Sequence, residues 1–186
     1  MGLITIIIIA LALAMDAFAV SIVSGTVYKQ LKVKHALRMA LSFGAFQAFM
    51  PLIGSLAGLT IRDHIAEYEH WVAFGLLAAV GGKMIYESFK IAPADKNSNP
   101  ANVMVLLFLS IATSIDALAV GITLSFLQVS IALAVAIIGL ITFVLSYLGV
   151  YIGKKVGHFF EGQIEAIGGL VLIALGIKIL IEHLTS

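Results

Sequence analysis

Six long apolar stretches, separated by short polar segments, make up most of the 186-residue sequence. A helix needs about 20 apolar residues to cross the hydrocarbon core of a bilayer, and each stretch is close to that length. The chain is 61% apolar and only 11% charged, which is more apolar surface than one soluble core can bury. We therefore predict an all-α polytopic membrane protein with six transmembrane helices in a lipid bilayer. The predicted spans cover about residues 3–27, 35–60, 71–89, 103–127, 129–152 and 164–184.

The remaining residues suffice only for short loops, so residues 1–186 are expected to form a single membrane domain without a soluble catalytic module. The first stretch lacks a basic region before it and carries Asp16 near its middle, so it is interpreted as a retained span rather than a signal peptide. The absence of cysteine excludes disulfides and thiolate metal sites. A net charge of +1 gives no indication of nucleic-acid binding.

Lysine and arginine residues cluster in alternate loops of this predicted topology. Cytoplasmic loops of membrane proteins are enriched in these residues. The second loop holds only Arg62, and the fourth loop holds none. Loops one, three and five are therefore expected in the cytoplasm, with both termini outside it. The basic residues near those three loops are Lys29, Lys32, Lys34, Arg38, Lys90, Lys96, Lys154 and Lys155.

The two halves of the sequence resemble each other around an aspartate. Residues 14–21 read AMDAFAVS and residues 114–121 read SIDALAVG, with four of the eight positions identical. Each half has three predicted spans, an odd number, so the second half should insert inverted relative to the first, as in many secondary transporters. We predict repeat one at about 1–91, a linker at about 92–102 and repeat two at about 103–186; chance similarity between apolar segments is the alternative. Further matches, 95 residues apart, are Gly44/Gly139, Gly54/Gly149, Gly58/Gly153, Gly81/Gly176, Lys83/Lys178 and Glu87/Glu182.

Asp16 and Asp116 are the strongest functional signals in the sequence. Each lies about thirteen residues into its predicted span, or about 20 Å along the helix, which is near the middle of the bilayer. A carboxylate at that depth costs at least about 2.5 kcal/mol and usually marks an ion path. Brought together by the inverted repeat, the two would form a doubly negative site that a divalent cation, or two protons, would neutralise. A structural hydrogen bond to a neighbouring backbone is the alternative for each.

The second span supplies a further group of candidate ligands. Pro51 has no N–H, so the backbone carbonyl of Gln47 loses its helical partner. The backbone and amide oxygens of Gln47 could then both reach a cation, and Met50 lies on the same helical face. A proline kink in which Gln47 bonds to a neighbouring helix is an equally open interpretation. Lys83 and Glu87, four residues apart, are interpreted as a mutually neutralising pair rather than as gating groups.

Oxygen ligands suit Mg²⁺, Ca²⁺ and Mn²⁺, whereas imidazole and thiolate suit zinc and copper. All five histidines lie near the ends of predicted spans, so the residues favour a hard divalent cation. Hydroxyl oxygens near the aspartates are further candidates, although such groups often bond to their own backbone. The predicted ligands are Asp16, Asp116, Gln47 and Thr113, with Met50, Thr142 and Ser146 as additional candidates.

Four segments, MDAFAVS, FGAFQAFMPLIG, ATSIDALAVG and GGLVLIALGIKIL, closely resemble the MntP-type manganese efflux pumps of bacteria. The resemblance covers nearly the whole chain, and that family is grouped with lysine-exporter-like transporters. It implies an exporter in the bacterial plasma (inner) membrane that removes Mn²⁺ from the cytoplasm, with manganese as the transported substrate and no tightly bound cofactor. It also implies that the intramembrane aspartates of the family correspond to Asp16 and Asp116.

We therefore expect a secondary transporter that works by alternating access, and not an enzyme. No phosphate-binding loop is present, so no ATP site is expected, and protons or the membrane potential are the candidate driving forces. An exporter of another substrate, such as an amino acid or Ca²⁺, and a membrane subunit without transport activity are alternatives. An intramembrane aspartyl protease is a further alternative, but the residues before the two aspartates, Met15 and Ile115, do not fit the pattern of that chemistry.

Overall fold

A computed structural model of the chain describes residues 2–27, 32–65, 68–89, 102–127, 129–156 and 161–184. These residues form helices and short connections without any strand, which confirms the prediction of an all-α protein. The predicted linker at 92–102 lies, except for Asn102, outside the described residues. The helices are α1 (Leu3–Val27), α2 (Val33–Ile65), α3 (Glu69–Ser88), α4 (Val103–Ala112), α5 (Ile115–Phe126), α6 (Ile131–Val156) and α7 (Glu161–Leu184).

Among the described residues, four segments are long and apolar enough to cross a membrane. The fourth of the predicted spans is represented by α4 and α5 together, and α7 contributes a shorter apolar segment, Ala166–Ile181. Helix α3, which carries Lys83 and Glu87, is not among the four. The chain is thus a multi-pass helical protein, while the count of six spans stays a prediction. The four segments are Leu3–Thr26, Val33–Thr60, Val103–Phe126 and Ile131–Lys155.

The fourth predicted span, about residues 103–127, is confirmed as a membrane-capable segment, but its helix is interrupted. Helix α4 ends at Ala112 and α5 begins at Ile115, so the chain turns at Thr113 and Ser114, immediately before Asp116. Serine and threonine side chains compete for backbone hydrogen bonds and thereby favour such interruptions. The matching positions in the first half, 100 residues earlier, are Leu13 and Ala14, which favour helix, and α1 is continuous there.

Helices pack more closely across the two halves of the chain than within them. Helix α1 packs against α6 and α7, α2 packs against α5 and α6, and α3 packs against α7 and α5, whereas α1 and α2 hardly touch. The helices of residues 3–88 are therefore interleaved with those of residues 103–184. Buried apolar residues from α1, α3, α5, α6 and α7 form one core cluster.

Glycines allow the closest of these approaches. A side chain on Gly54 of α2 would collide with the carbonyl oxygen of Leu118 on α5, and one on Gly153 of α6 would collide with the carbonyl oxygen of Ile22 on α1. Small residues at helix contacts let backbones of membrane helices approach each other. The glycines singled out in the sequence at these positions are therefore packing contacts.

Candidate metal site

The side-chain amide of Gln47 joins the two segments that carry the aspartates. Its Nε2 atom donates hydrogen bonds to the carbonyl oxygens of Leu13 on α1 and of Thr113 at the α4–α5 break, both at 3.1 Å. Leu13 precedes Asp16 by three residues, and Thr113 precedes Asp116 by three residues. One amide nitrogen thus holds equivalent points of the two motifs together, and this fixes the orientation of the amide.

The other atom of this amide has no partner. Gln47 is fully buried, and its Oε1 atom accepts no hydrogen bond from the residues that the structure describes. The same holds for the hydroxyl oxygens of Thr142 and Ser146 on α6, which are also fully buried. Buried polar atoms are normally hydrogen-bonded, and each exception needs an explanation. Three of the predicted ligand oxygens are therefore free to bind a cation or water.

The break between α4 and α5 satisfies most of its own backbone groups. The Thr113 hydroxyl donates to the carbonyl of Leu109 at 3.0 Å, and the Ser114 hydroxyl donates to that of Ile111 at 3.0 Å. Such hydrogen bonds allow a membrane helix to be interrupted inside the protein. The Thr113 hydroxyl thus bonds to its own backbone, as these groups often do, and it keeps a lone pair for a ligand. Its carbonyl oxygen is taken by Gln47.

Asp116 lies in the first turn of α5 and is only 4% exposed. The amino end of a helix carries a partial positive charge, which stabilises a carboxylate there. Both carboxylate oxygens accept hydrogen bonds from the ammonium group of Lys83 on α3, at 3.0 and 3.1 Å. Lys83 also pairs with Glu87 at 3.3 Å, which confirms the predicted local pair. The ammonium group therefore has two carboxylate partners, one on its own helix and one on α5.

This ion pair corrects the expectation of a doubly negative site. Lys83 is separated from Asp116 by 33 residues, and no sequence pattern connects the two. Asp16 is half-buried on α1, and it too interacts electrostatically with Lys83. The ammonium group therefore pairs directly with Asp116 and Glu87 and interacts electrostatically with Asp16. With Lys83 in this position, the two aspartates and the lysine together carry a formal charge of −1 rather than −2.

The remaining candidate, Met50, is partly buried and packs against the apolar core. In the part of the chain that the structure describes, no three histidine, cysteine or acidic side chains converge in a way that would hold a metal. A cation at this site would therefore be held by two carboxylates together with amide, hydroxyl or carbonyl oxygens. Such a ligand set suits hard cations.

Comparison with known proteins gives the family. Residues 30–180 match the family model Mntp, described as "Putative manganese efflux pump". The chain belongs to the MntP family. Relatives that carry the same description include proteins of Gloeothece citriformis (54% identical over 184 residues, covering 99% of this chain and 97% of the relative) and Methanosarcina mazei (50% identical over 184 residues, 99% and 98%). A relative from Clostridium perfringens is 45% identical over 204 residues, covering 98% and 96%. No solved structure matches the chain.

Membership in the MntP family confirms the resemblance inferred from the four sequence segments. The relatives are named as efflux pumps, which are transporters rather than enzymes. This MntP-family chain is accordingly a transporter, and the protease alternative is set aside. The names say nothing of individual residues, so the ligand set stays a prediction that rests on the geometry.

Proposed function

We propose that the protein exports Mn²⁺ from the cytoplasm by alternating access around a site formed by Asp16 and Asp116. Gln47 contributes its Oε1 atom, and Thr113 contributes an oxygen from the helix break. Thr142, Ser146 and Met50 are further candidate ligands of the ion. Manganese itself rests on the names of the relatives, while the hard-cation ligand set rests on the residues of this chain.

The observation that carries this proposal is the bridging amide of Gln47. The buried Gln47 side chain bonds to the backbone three residues before each aspartate, and its oxygen has no partner in the described part of the chain. A purely structural glutamine would be expected to use that oxygen as well, because an unpaired buried acceptor costs about 1–3 kcal/mol. A cation that binds between the aspartates would satisfy it.

The arrangement of the halves as inverted repeats is part of the proposal. The contact of Gly54 with Leu118 corresponds to that of Gly149 with Phe18 when the two halves are exchanged. Gly44 meets Gly139, its own counterpart. Contacts that recur under this exchange support two units related by a twofold axis, with the site between them.

The same exchange relates two further pairs of contacts. The contact of Gly58 with Ile122 corresponds to that of Gly153 with Ile22. Between α3 and α7, the contact of Gly81 with Gly169 corresponds to that of Gly176 with Phe74. Six spans, both termini outside the cytoplasm, and rocking of one repeat against the other complete the proposed mechanism. Protons or the membrane potential would drive it, without ATP.

The proposal is tested by metal-resolved efflux from cells loaded with Mn²⁺, Ca²⁺ or an amino acid mixture. We expect Asp16→Asn and Asp116→Asn each to abolish Mn²⁺ export while the protein still inserts at normal amounts. Asp95→Asn, the same chemical change in the linker sequence, is the control and should export normally. Normal Mn²⁺ export by either site variant would refute the site, and export of Ca²⁺ or amino acids in place of Mn²⁺ would refute the substrate.

A further inference from the structure

We propose that Lys83 is a tethered cation that occupies Asp116 when the site is empty and moves to Glu87 when the metal binds. The inference rests on the proposed function, because it assumes that Asp116 is a ligand of the transported ion. It assigns to Lys83, on a helix outside the predicted ligand set, control over how tightly the site binds. The lysine would compete directly with the substrate for one carboxylate.

The geometry provides both positions of the lysine at once. The Nζ atom of Lys83 lies 3.0 Å from Oδ1 of Asp116 and 3.3 Å from Oε2 of Glu87. The ammonium group sits at the end of a flexible four-carbon chain, so a small rotation is enough to release Asp116 and keep Glu87. The charge is therefore never left unpaired at this depth, where an unpaired charge would be costly.

Burial differs between the two carboxylates in the sense that this exchange requires. The side chain of Asp116 is 6% exposed, whereas that of Glu87 is 47% exposed and that of Lys83 is 42% exposed. A buried carboxylate without a counter-charge is unfavourable, so the empty site needs a cation. Lys83 supplies it from within the protein, and a divalent ion that reaches Asp116 takes over that function.

The alternative is that the ion pair only stabilises the packing of α3 against α5. The two hypotheses predict opposite changes in Mn²⁺ affinity when Lys83 is replaced by glutamine. Under our proposal, Lys83→Gln removes a competitor and tightens Mn²⁺ binding. If Lys83 holds Asp116 in nine molecules of ten, the apparent Kd falls about tenfold. Lys83→Arg should have the opposite effect, because a guanidinium group pairs with a carboxylate through two parallel hydrogen bonds and competes better. If the ion pair were purely structural, Lys83→Gln would bind Mn²⁺ more weakly and Lys83→Arg would bind it almost normally.

Mn²⁺ binding to the purified full-length protein in lipid nanodiscs is measured by the loss of the electron paramagnetic resonance signal of free Mn²⁺. Lys155→Gln, the same change at the exposed end of α6, is the control. In proteoliposomes, Lys83→Gln should lower both KM and kcat, because release of the metal slows once no internal cation replaces it. Lys83→Arg should raise KM.

A lower Kd for Lys83→Gln together with a higher Kd for Lys83→Arg supports the proposal. An unchanged or higher Kd for Lys83→Gln overturns it, provided that Asp116→Asn abolishes binding. If Asp116→Asn binds Mn²⁺ as the wild type does, the proposed site itself is wrong and the inference fails with it. If Lys83→Gln does not fold, Lys83→Arg decides alone: a raised Kd supports the proposal and an unchanged Kd overturns it.

Discussion

Replacing Gln47 with methionine separates its two functions, holding the helices together and binding the ion. Methionine has a similar length and flexibility but neither donates nor accepts a strong hydrogen bond. The variant loses the two hydrogen bonds to the carbonyls of Leu13 and Thr113. It also removes the buried Oε1 atom, which has no partner among the described residues. The effects on stability therefore oppose each other.

The magnitudes can be compared. Side-chain hydrogen bonds in membrane proteins contribute about 0.6 kcal/mol each on average, so losing two costs about 1.2 kcal/mol. Removing an unpaired buried acceptor returns about 1 kcal/mol. The net change in the free energy of unfolding should then be at most about 1 kcal/mol. Loss of a ligand oxygen, in contrast, should weaken metal affinity at least about tenfold. Mutating residues that only hydrogen-bond to metal ligands already lowers affinity or activity by about 10–100-fold.

The assay combines thermal unfolding of the purified variant with Mn²⁺ efflux, normalised to the amount of inserted protein. We expect nearly unchanged unfolding and strongly reduced efflux. Gln163→Met, the same substitution at an exposed position on α7, is the matched control and should change neither quantity. Efflux at the wild-type rate would refute the ligand assignment. A clear loss of stability with unchanged Mn²⁺ affinity would make Gln47 purely structural.

Two further predictions concern packing and topology. Gly54→Ala places a methyl group against the backbone of Leu118, so α2 and α5 must separate and the thermal unfolding temperature should fall. Gly75→Ala is the control and should be tolerated, because a methyl group there meets no atom of the described residues within 4 Å. Equal unfolding temperatures for the two variants would contradict the packing. Because the sequence contains no cysteine, single cysteines report topology without background. An impermeant maleimide should label a cysteine at Gly2 in intact cells and one at Lys155 only after permeabilisation, and the reverse pattern would exclude the proposed orientation.

Apolar length alone located the helices approximately, but not the break between α4 and α5. The predicted first span, residues 3–27, coincides with α1, because a run of apolar residues uninterrupted by a helix breaker determines both its existence and its ends. The second span is longer in the structure than predicted, since α2 extends from Val33 to Ile65 into polar residues. Hydropathy locates only the apolar part of a helix. The helix itself can continue into polar residues as long as its backbone groups are hydrogen-bonded.

The helix break and the long-range ion pair were not predicted. Thr113 and Ser114 hardly lower the apolar character of their span, so hydropathy does not reveal the interruption. Their position just before Asp116 is the only sign of it in the sequence. Lys83 had a sufficient local partner in Glu87, and nothing in a single sequence brings it near a residue on another helix. The repetition of the two aspartate motifs predicted that they lie close together. It did not predict the contact of the Gln47 amide with both segments, because that contact depends on how α2 packs against them.

The interleaved packing has a consequence for how the protein is made. Helix α3 finds its main partner in α7, and α1 finds its main partner in α6, and both partners are translated much later than the helices they contact. The first three helices must therefore remain in the bilayer without their main partners until α5, α6 and α7 have been translated. Assembly of these helices is thus a late step, and a product truncated before α6 lacks the main partners of both α1 and α3.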